Sequence, residues 1–145
     1  MILALRGARR RIWIESPYFA SDEIAAAVAS AAQRGVDVRL ILPSTSNLAT
    51  AYFLIHAGVK VFRYPKMAHT KAMICDGWAC VGSANFDLLS MRLNRELNIA
   101  FTDPATVMKL EKSLFLPDFV RPRRIGIQET EAPANCFAEA VADQL

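Results

Sequence analysis

Hydrophobic and polar positions along this chain switch between a period near two and a period near four. Ile12-Trp13-Ile14-Glu15 is a short β-branched and aromatic run that predicts a first strand, broken at Ser16-Pro17. Over residues 22–34 small apolar residues repeat at helical spacing. Ser21 caps that helix, Asp22 and Glu23 oppose the positive end of its dipole, and Gly35 marks its stop. Val36, Val38, Leu40 and Leu42 then alternate with Asp37, Arg39 and Ile41 until Pro43, which predicts a strand. A second helix over about 48–57 ends at Gly58 and feeds a strand over 59–64. Residues 96–101 predict the last strand, and Asp103-Pro104 a cap and first residue of a helix reaching about 116. Repeated strand–helix–strand units predict an α/β fold, a mainly parallel mixed β-sheet flanked by helices.

One stretch interrupts that rhythm. Residues 68–96 read AHTKAMICDGWACVGSANFDLLSMRLNRE. If 68–75 is a strand, His69 and Lys71 leave the same face and converge on one anion. Cys75-Asp76-Gly77-Trp78 predicts a hairpin tip, because Asp-Gly suits a two-residue turn with positive φ at its centre. The returning strand brings Gly82-Ser83-Ala84-Asn85 back beside the start of the first. His69, Lys71, Ser83 and Asn85 then offer a nitrogen nucleophile or acid/base, a positive charge, a hydroxyl and an amide. That set makes a cradle for a phosphate diester.

The stretch resembles the phospholipase D superfamily, whose motif is His-x-Lys-x4-Asp-x6-Gly-Ser-x-Asn. His69, Lys71 and Asp76 match its spacing, and Gly82, Ser83 and Asn85 match its last part, with five residues in place of six between Asp76 and Gly82. The run 87–98, DLLSMRLNRELN, is most similar to the bacterial cardiolipin synthase branch. Asp87, Ser90, Leu93, Asn94, Glu96 and Asn98 match it, and Leu89 stands where that branch usually has arginine. Ser16-Pro17-Tyr18-Phe19 is similar to a Thr-Pro-Tyr-Phe loop at the mouth of that branch's site.

The resemblance covers residues 11–118. It implies an α-β-α sandwich with the motif on a β-hairpin, residues 1–118 forming a catalytic half-domain and 119–145 an unassigned C-terminal extension. It also implies a metal-independent, cofactor-free, two-step transfer of a phosphodiester through a phosphohistidine. The catalytic set is His69, Lys71 and Asp76, with Asp76 at the hairpin tip suited to a structural role. Ser83 and Asn85 bind the substrate phosphate, and Glu96 orients the histidine. Two motifs make such a site, and this sequence supplies one. The expected partner is a second motif-bearing half in the same full-length chain, with this chain the C-terminal half, or else a homodimer mate. A phospholipid substrate at the cytoplasmic face of a membrane follows from the cardiolipin synthase likeness. The alternatives are a homodimeric nuclease of the same superfamily, with nucleic acid as partner, and a phosphate-binding half inactive by itself.

Composition narrows this little. A net charge of +3 is compatible with phosphate-bearing substrates and far from that of a polybasic nucleic-acid binder. Three cysteines without a CxxC pair read as reduced thiols of a cytosol-facing domain. The longest small-apolar run, 24–32, is about half of a membrane span, and residues 1–5 are too short for a signal sequence. Arg9-Arg10-Arg11 reads as a solvated edge or a contact for anionic headgroups, and Arg121-Pro122-Arg123-Arg124 as a basic loop. His56 serves the carbonyl end of the second helix. Residues 135–145 suggest a short amphipathic helix.

Overall fold

The computed structural model describes residues 1–43, 48–121 and 123–130. Its centre is three parallel strands, β1 (Arg11–Glu15), β2 (Asp37–Pro43) and β3 (Lys60–Tyr64). They are joined by α2 (Asp22–Gln33) and α3 (Leu48–His56), and a helix that the pattern did not predict, α1 (Ile2–Gly7), precedes them. The local signals act as expected. Ser21 Oγ accepts from the Ile24 amide at 3.4 Å, and Gly35 leaves α2 with φ at 88°, a conformation that a side chain would strain.

The sheet then turns antiparallel. The hairpin β4 (Ala72–Cys75) and β5 (Trp78–Gly82) adds to the free edge of β1, and β6 (Asn98–Phe101) adds to β5. A two-residue strand, β7 (Arg123–Arg124), pairs with β3 at the opposite edge, where the sequence suggested only a basic loop. The order is β6-β5-β4-β1-β2-β3-β7, so the sheet is mixed and its parallel pairing is confined to β1, β2 and β3.

β1 lies inside the sheet and is buried on both faces. Ile12 and Ile14 point into a core shared with Leu40, Val61 and Met73 and covered by Ile24 and Val28 of α2 and Leu54 of α3. Trp13 points the other way, into a cluster with Ile41, Ala72, Ile74 and Ala79. Each of the larger side chains removed from water there contributes about 1.5–3 kcal/mol.

The second face is covered by one long helical segment. α5 (Pro104–Leu110) passes through a π-helical turn, Glu111–Phe115, into α6 (Leu116–Val120). Asp103 caps it, accepting from the Thr106 amide at 2.8 Å. The segment runs beyond the expected end near 116 because Pro117 falls in the first turn of α6, where its missing N–H is tolerated. Phe119 meets Trp13 edge-on at 5.1 Å, so the packed core continues past residue 118.

Of the three N-terminal arginines Arg9 and Arg10 are exposed, while Arg11 is engaged. Arg11 pairs with Glu111 at 2.8 Å and lies 4.7 Å from the Trp13 ring centre, beside Arg39 at 5.0 Å. Cys75 and Cys80 are free thiols, and burial, with Asp76 nearby, pushes Cys75 up to about 11. The suggested helix at 135–145 and Cys136 lie outside the described residues. α4 (Leu88–Arg92) and α7 (Ile127–Thr130) complete the elements. Among the described residues no helix is long and apolar enough to cross a membrane.

Candidate active site

The hairpin carries two different polar clusters, one at each end of β4. At the tip, Asp76 takes φ of 52°, and it alone of the two turn residues enters the left-handed region, where the Asp-Gly reading expected both. Its carboxylate accepts three backbone amides, Arg9 on Oδ2 and Arg10 and Arg11 on Oδ1, each at 2.9 Å. Burial opposes the charge of Asp76, but these amides and the Arg10 guanidinium overcome it and hold the carboxyl below its usual range. Asp76 therefore ties the hairpin to the start of β1. It is roughly 20 Å of extended chain away from His69 and is not brought to it.

At the root, His69, Thr70 and Lys71 lead into β4 while Ser83, Ala84 and Asn85 leave β5. The Gly82 amide donates to the Lys71 carbonyl at 3.2 Å, extending the hairpin by one pair. On its other side Gly82 is pressed against β6. A Cβ at this position would collide with the Asn98 side chain and the Leu97 carbonyl, so the glycine is required by close approach of backbone. Ser83 is clamped in consequence. Its amide donates to the Leu97 carbonyl at 3.0 Å, and its hydroxyl accepts from the Leu97 amide at 2.9 Å and donates to Glu96 Oε2 at 2.5 Å.

His69 is exposed. Lys71 Nζ lies 3.1 Å from each of its ring nitrogens and donates to its carbonyl oxygen at 3.1 Å. An ammonium only donates and a neutral imidazole has one acceptor nitrogen, so at most one of the two ring contacts is a hydrogen bond. Burial draws the Lys71 pKa below its ordinary value, against the pull of the Glu96 and Asp87 charges. Glu96 is held on the anionic side mainly by the Ser83 hydroxyl, against its own desolvation and with help from Asn94, Ser90 and Lys71. The expected bond from the His69 ring to Glu96 is not the one formed: Oε2 takes Ser83, and Oε1 takes Asn94 Nδ2 at 3.3 Å. Asn85 is half-buried, with its Oδ1 enclosed and unpartnered.

The aromatic loop after β1 is tied to the same segment. Ser16 Oγ donates to the Tyr18 carbonyl at 2.7 Å, the Phe86 amide donates to that carbonyl at 3.1 Å, and the Phe19 and Phe86 rings stack at 5.7 Å. The site thus sits beyond the carboxyl ends of the parallel strands, where open α/β sheets bind ligands.

The pattern did not foretell how apolar the surroundings are. Leu88, Leu89, Leu93, Leu97 and Ile99 are all exposed, Leu97 by 75%. They fall within residues 88–99, from α4 to β6, interspersed in sequence with exposed Arg92 and Arg95.

The fold is similar to that of a phospholipase D family member, Nuc from Salmonella typhimurium, with a TM-score of 0.75 and 21% identity over 86% of this chain and 87% of that one. It is also similar to the phosphatidylserine synthase of Haemophilus influenzae Rd KW20, with a TM-score of 0.68 and 14% identity over 99% of this chain and 42% of that one. In sequence the chain is 41% identical over 138 residues to cardiolipin synthase A of Pseudomonas syringae pv. syringae (strain B728a), covering 88% of this chain and 29% of the relative. Cardiolipin synthase A of Pseudomonas aeruginosa (strain LESB58) is 43% identical over 121 residues, 76% of this chain and 25% of the relative. The chain therefore spans less than a third of the length of these relatives. The family model described as cardiolipin synthase, PLD-like domain, matches residues 1–115, and the chain belongs to that family.

Proposed function

We propose that residues 1–118 form one catalytic half of a phosphatidyltransferase of the cardiolipin synthase kind, which moves a phosphodiester through a phosphohistidine on His69. The reading rests on an exposed imidazole whose ring nitrogens both lie 3.1 Å from a lysine ammonium, beside a serine held by a carboxylate. An unprotonated ring nitrogen of His69 attacks phosphorus and the bond to the leaving alcohol breaks. The imidazolium of a second motif gives that alcohol its proton. An incoming alcohol then returns a proton to the second imidazole, bonds to phosphorus and releases His69. Lys71, Ser83 and Asn85 stabilise the charge on the nonbridging oxygens. When the Ser83 hydroxyl turns to a phosphate oxygen, Glu96 Oε2 is freed to accept from the His69 ring and fix its tautomer.

Two observations support a second half over a lone chain. The cardiolipin synthase relatives are more than three times as long as the matched region, and the exposed leucines beside the site are an apolar surface suited to a protein neighbour. In this reading the chain is the C-terminal half, the substrate is a phospholipid and the assembled enzyme works at a membrane surface. A homodimeric arrangement is the second reading, since one copy of the chain carries one motif and a two-fold axis would supply the other.

The test is to mix the chain with a first half taken from a cardiolipin synthase relative, add phosphatidylglycerol labelled at phosphorus, and quench. An acid-labile, alkali-stable label on the chain is expected, and His69→Ala removes it without changing the melting temperature. Label retained by His69→Ala overturns the assignment, and label on the chain alone as a symmetric dimer favours the second reading.

A further inference from the structure

Asn98 opens β6 and is the register partner of Gly82. The Gly82 amide in turn donates to the Lys71 carbonyl at 3.2 Å, so Lys71, Gly82 and Asn98 form one row across β4, β5 and β6. Ala72, Val81 and Ile99 form the next row, and Ala72 packs on the Trp13 face of the sheet. Alternation therefore turns Lys71 and Asn98 to the other face, where the Lys71 ammonium meets the His69 ring. Two strand spacings, about 10 Å, separate the two residues, and the position between them has no side chain.

The Asn98 side chain reaches into that gap. Its Oδ1 stands against the place that a Cβ of residue 82 would take, and it accepts from the Ala84 amide at 3.3 Å. A backbone N–H donates only to the oxygen of a carboxamide, so the orientation of the group is fixed. Nδ2, bonded to the same carbon, is carried over β5 with it and has no acceptor among the described residues. Asn98 is exposed, so these two N–H donors are open to a ligand. With Oδ1 taken, the group that remains donates and does not accept, which suits an anionic oxygen.

We propose that Asn98 is a further substrate-binding residue: Nδ2 donates to a nonbridging oxygen of the phosphodiester from the side opposite Lys71, while Oδ1 holds the Ala84 amide and with it the segment from Ser83 to Asn85. Gly82 serves the same end, because a side chain there would push the carboxamide out of the gap. The inference deepens the proposed function and rests on it for the identity of the ligand, so binding and turnover are read separately.

Binding is read by titrating dimethyl phosphate, a small phosphodiester, into the chain and following the side-chain NH2 resonances of Asn98 beside the backbone amides of Ser83 and Asn85. All should shift together and saturate at one concentration. If the Ser83 and Asn85 amides move while the Asn98 NH2 stays still, this inference is overturned and the proposed function stands. If none moves, both fall. Turnover is read from the labelling rate of the mixed halves. Asn98→Ala removes the donor and should lower that rate roughly tenfold to a hundredfold, as loss of a hydrogen bond to a charged group does. Asn98→Asp keeps an oxygen for the Ala84 amide but sets a negative charge where the donor was. It should melt with the wild-type chain and label more slowly than Asn98→Ala. A residue that only held Ala84 would give the reverse order, with the aspartate variant the faster, and that order overturns the proposal. Should either variant not fold, the titration of the unaltered chain still decides.

Discussion

The two ends of β4 are built from the same motif and do opposite things. At the tip the Asp76 carboxylate has three amide donors and no polar work left to do. At the root His69 is exposed, the Asn85 amide oxygen is unpartnered, and Lys71 Nζ lies against the His69 ring rather than a carboxylate. A polar group that is fully satisfied by its own chain stabilises the fold, while one left partly unsatisfied is available to a ligand. The difference teaches that motif membership does not identify chemistry; hydrogen-bond accounting does.

Substitutions at either end of the hairpin test that contrast. His69→Ala acts only at the root, with the label falling to background and the melt unchanged. Gly82→Ala should destabilise the chain by about 3 kcal/mol, because the new methyl meets the backbone of Leu97 and Asn98, and the Leu97 carbonyl cannot move without opening the Ser83 clamp. Calorimetric melts measure this, and a change under 0.5 kcal/mol would mean that the close approach is relaxed in solution.

Asp76→Ala should cost about 2–3 kcal/mol, the amides of exposed Arg9 and Arg10 being partly rescued by water, and leave the label per folded molecule unchanged. Asp76→Gly separates the carboxylate from the left-handed backbone, and should be about 1 kcal/mol more stable than the alanine variant. The pH dependence has a fixed sign. The folded Asp76 carboxyl is held below its ordinary range, so its stabilisation is present above the unfolded pKa and lost as pH falls through the folded one. The wild-type and Asp76→Ala melts should therefore converge in acid, and a gap that persists there would assign the loss to packing.

The smallest effect on the isolated chain belongs to Leu97→Ser, within about 0.5 kcal/mol because the side chain is in water. If that leucine meets a second half, the same change should weaken association of the halves roughly tenfold, read by titration of one half into the other. Equal affinity would exclude Leu97 from the contact.

What was legible in the sequence is local. Alternation over 36–42, the Ser21 and Asp103 caps, the glycines ending two helices and the Asp-Gly turn are each decided by a few neighbouring residues, and each element formed. The phospholipase D-like family and the mixed sheet flanked by helices were legible too, because the motif's spacing is set within one hairpin. What stayed hidden depends on segments far apart in sequence. Nothing in Arg11-Ile12-Trp13-Ile14-Glu15 says that the last residue is buried, since a terminal glutamate ordinarily faces solvent, and only the arrival of α6 encloses it. The requirement for glycine at 82 comes from Leu97 and Asn98, and the three amides for Asp76 come from residues 9–11. The Glu96 contacts depend on a hydroxyl orientation that no spacing rule specifies.

The grip of Asp76 on the amides of Arg9, Arg10 and Arg11 gives the motif's four-residue gap between Lys71 and Asp76 a mechanical meaning. One end of that short ribbon is bolted to the first strand and the other carries the His69 ring, so the ribbon is a ruler. Inserting or deleting a single residue within it would turn every side chain to the wrong face and leave either the bolt or the ring out of place.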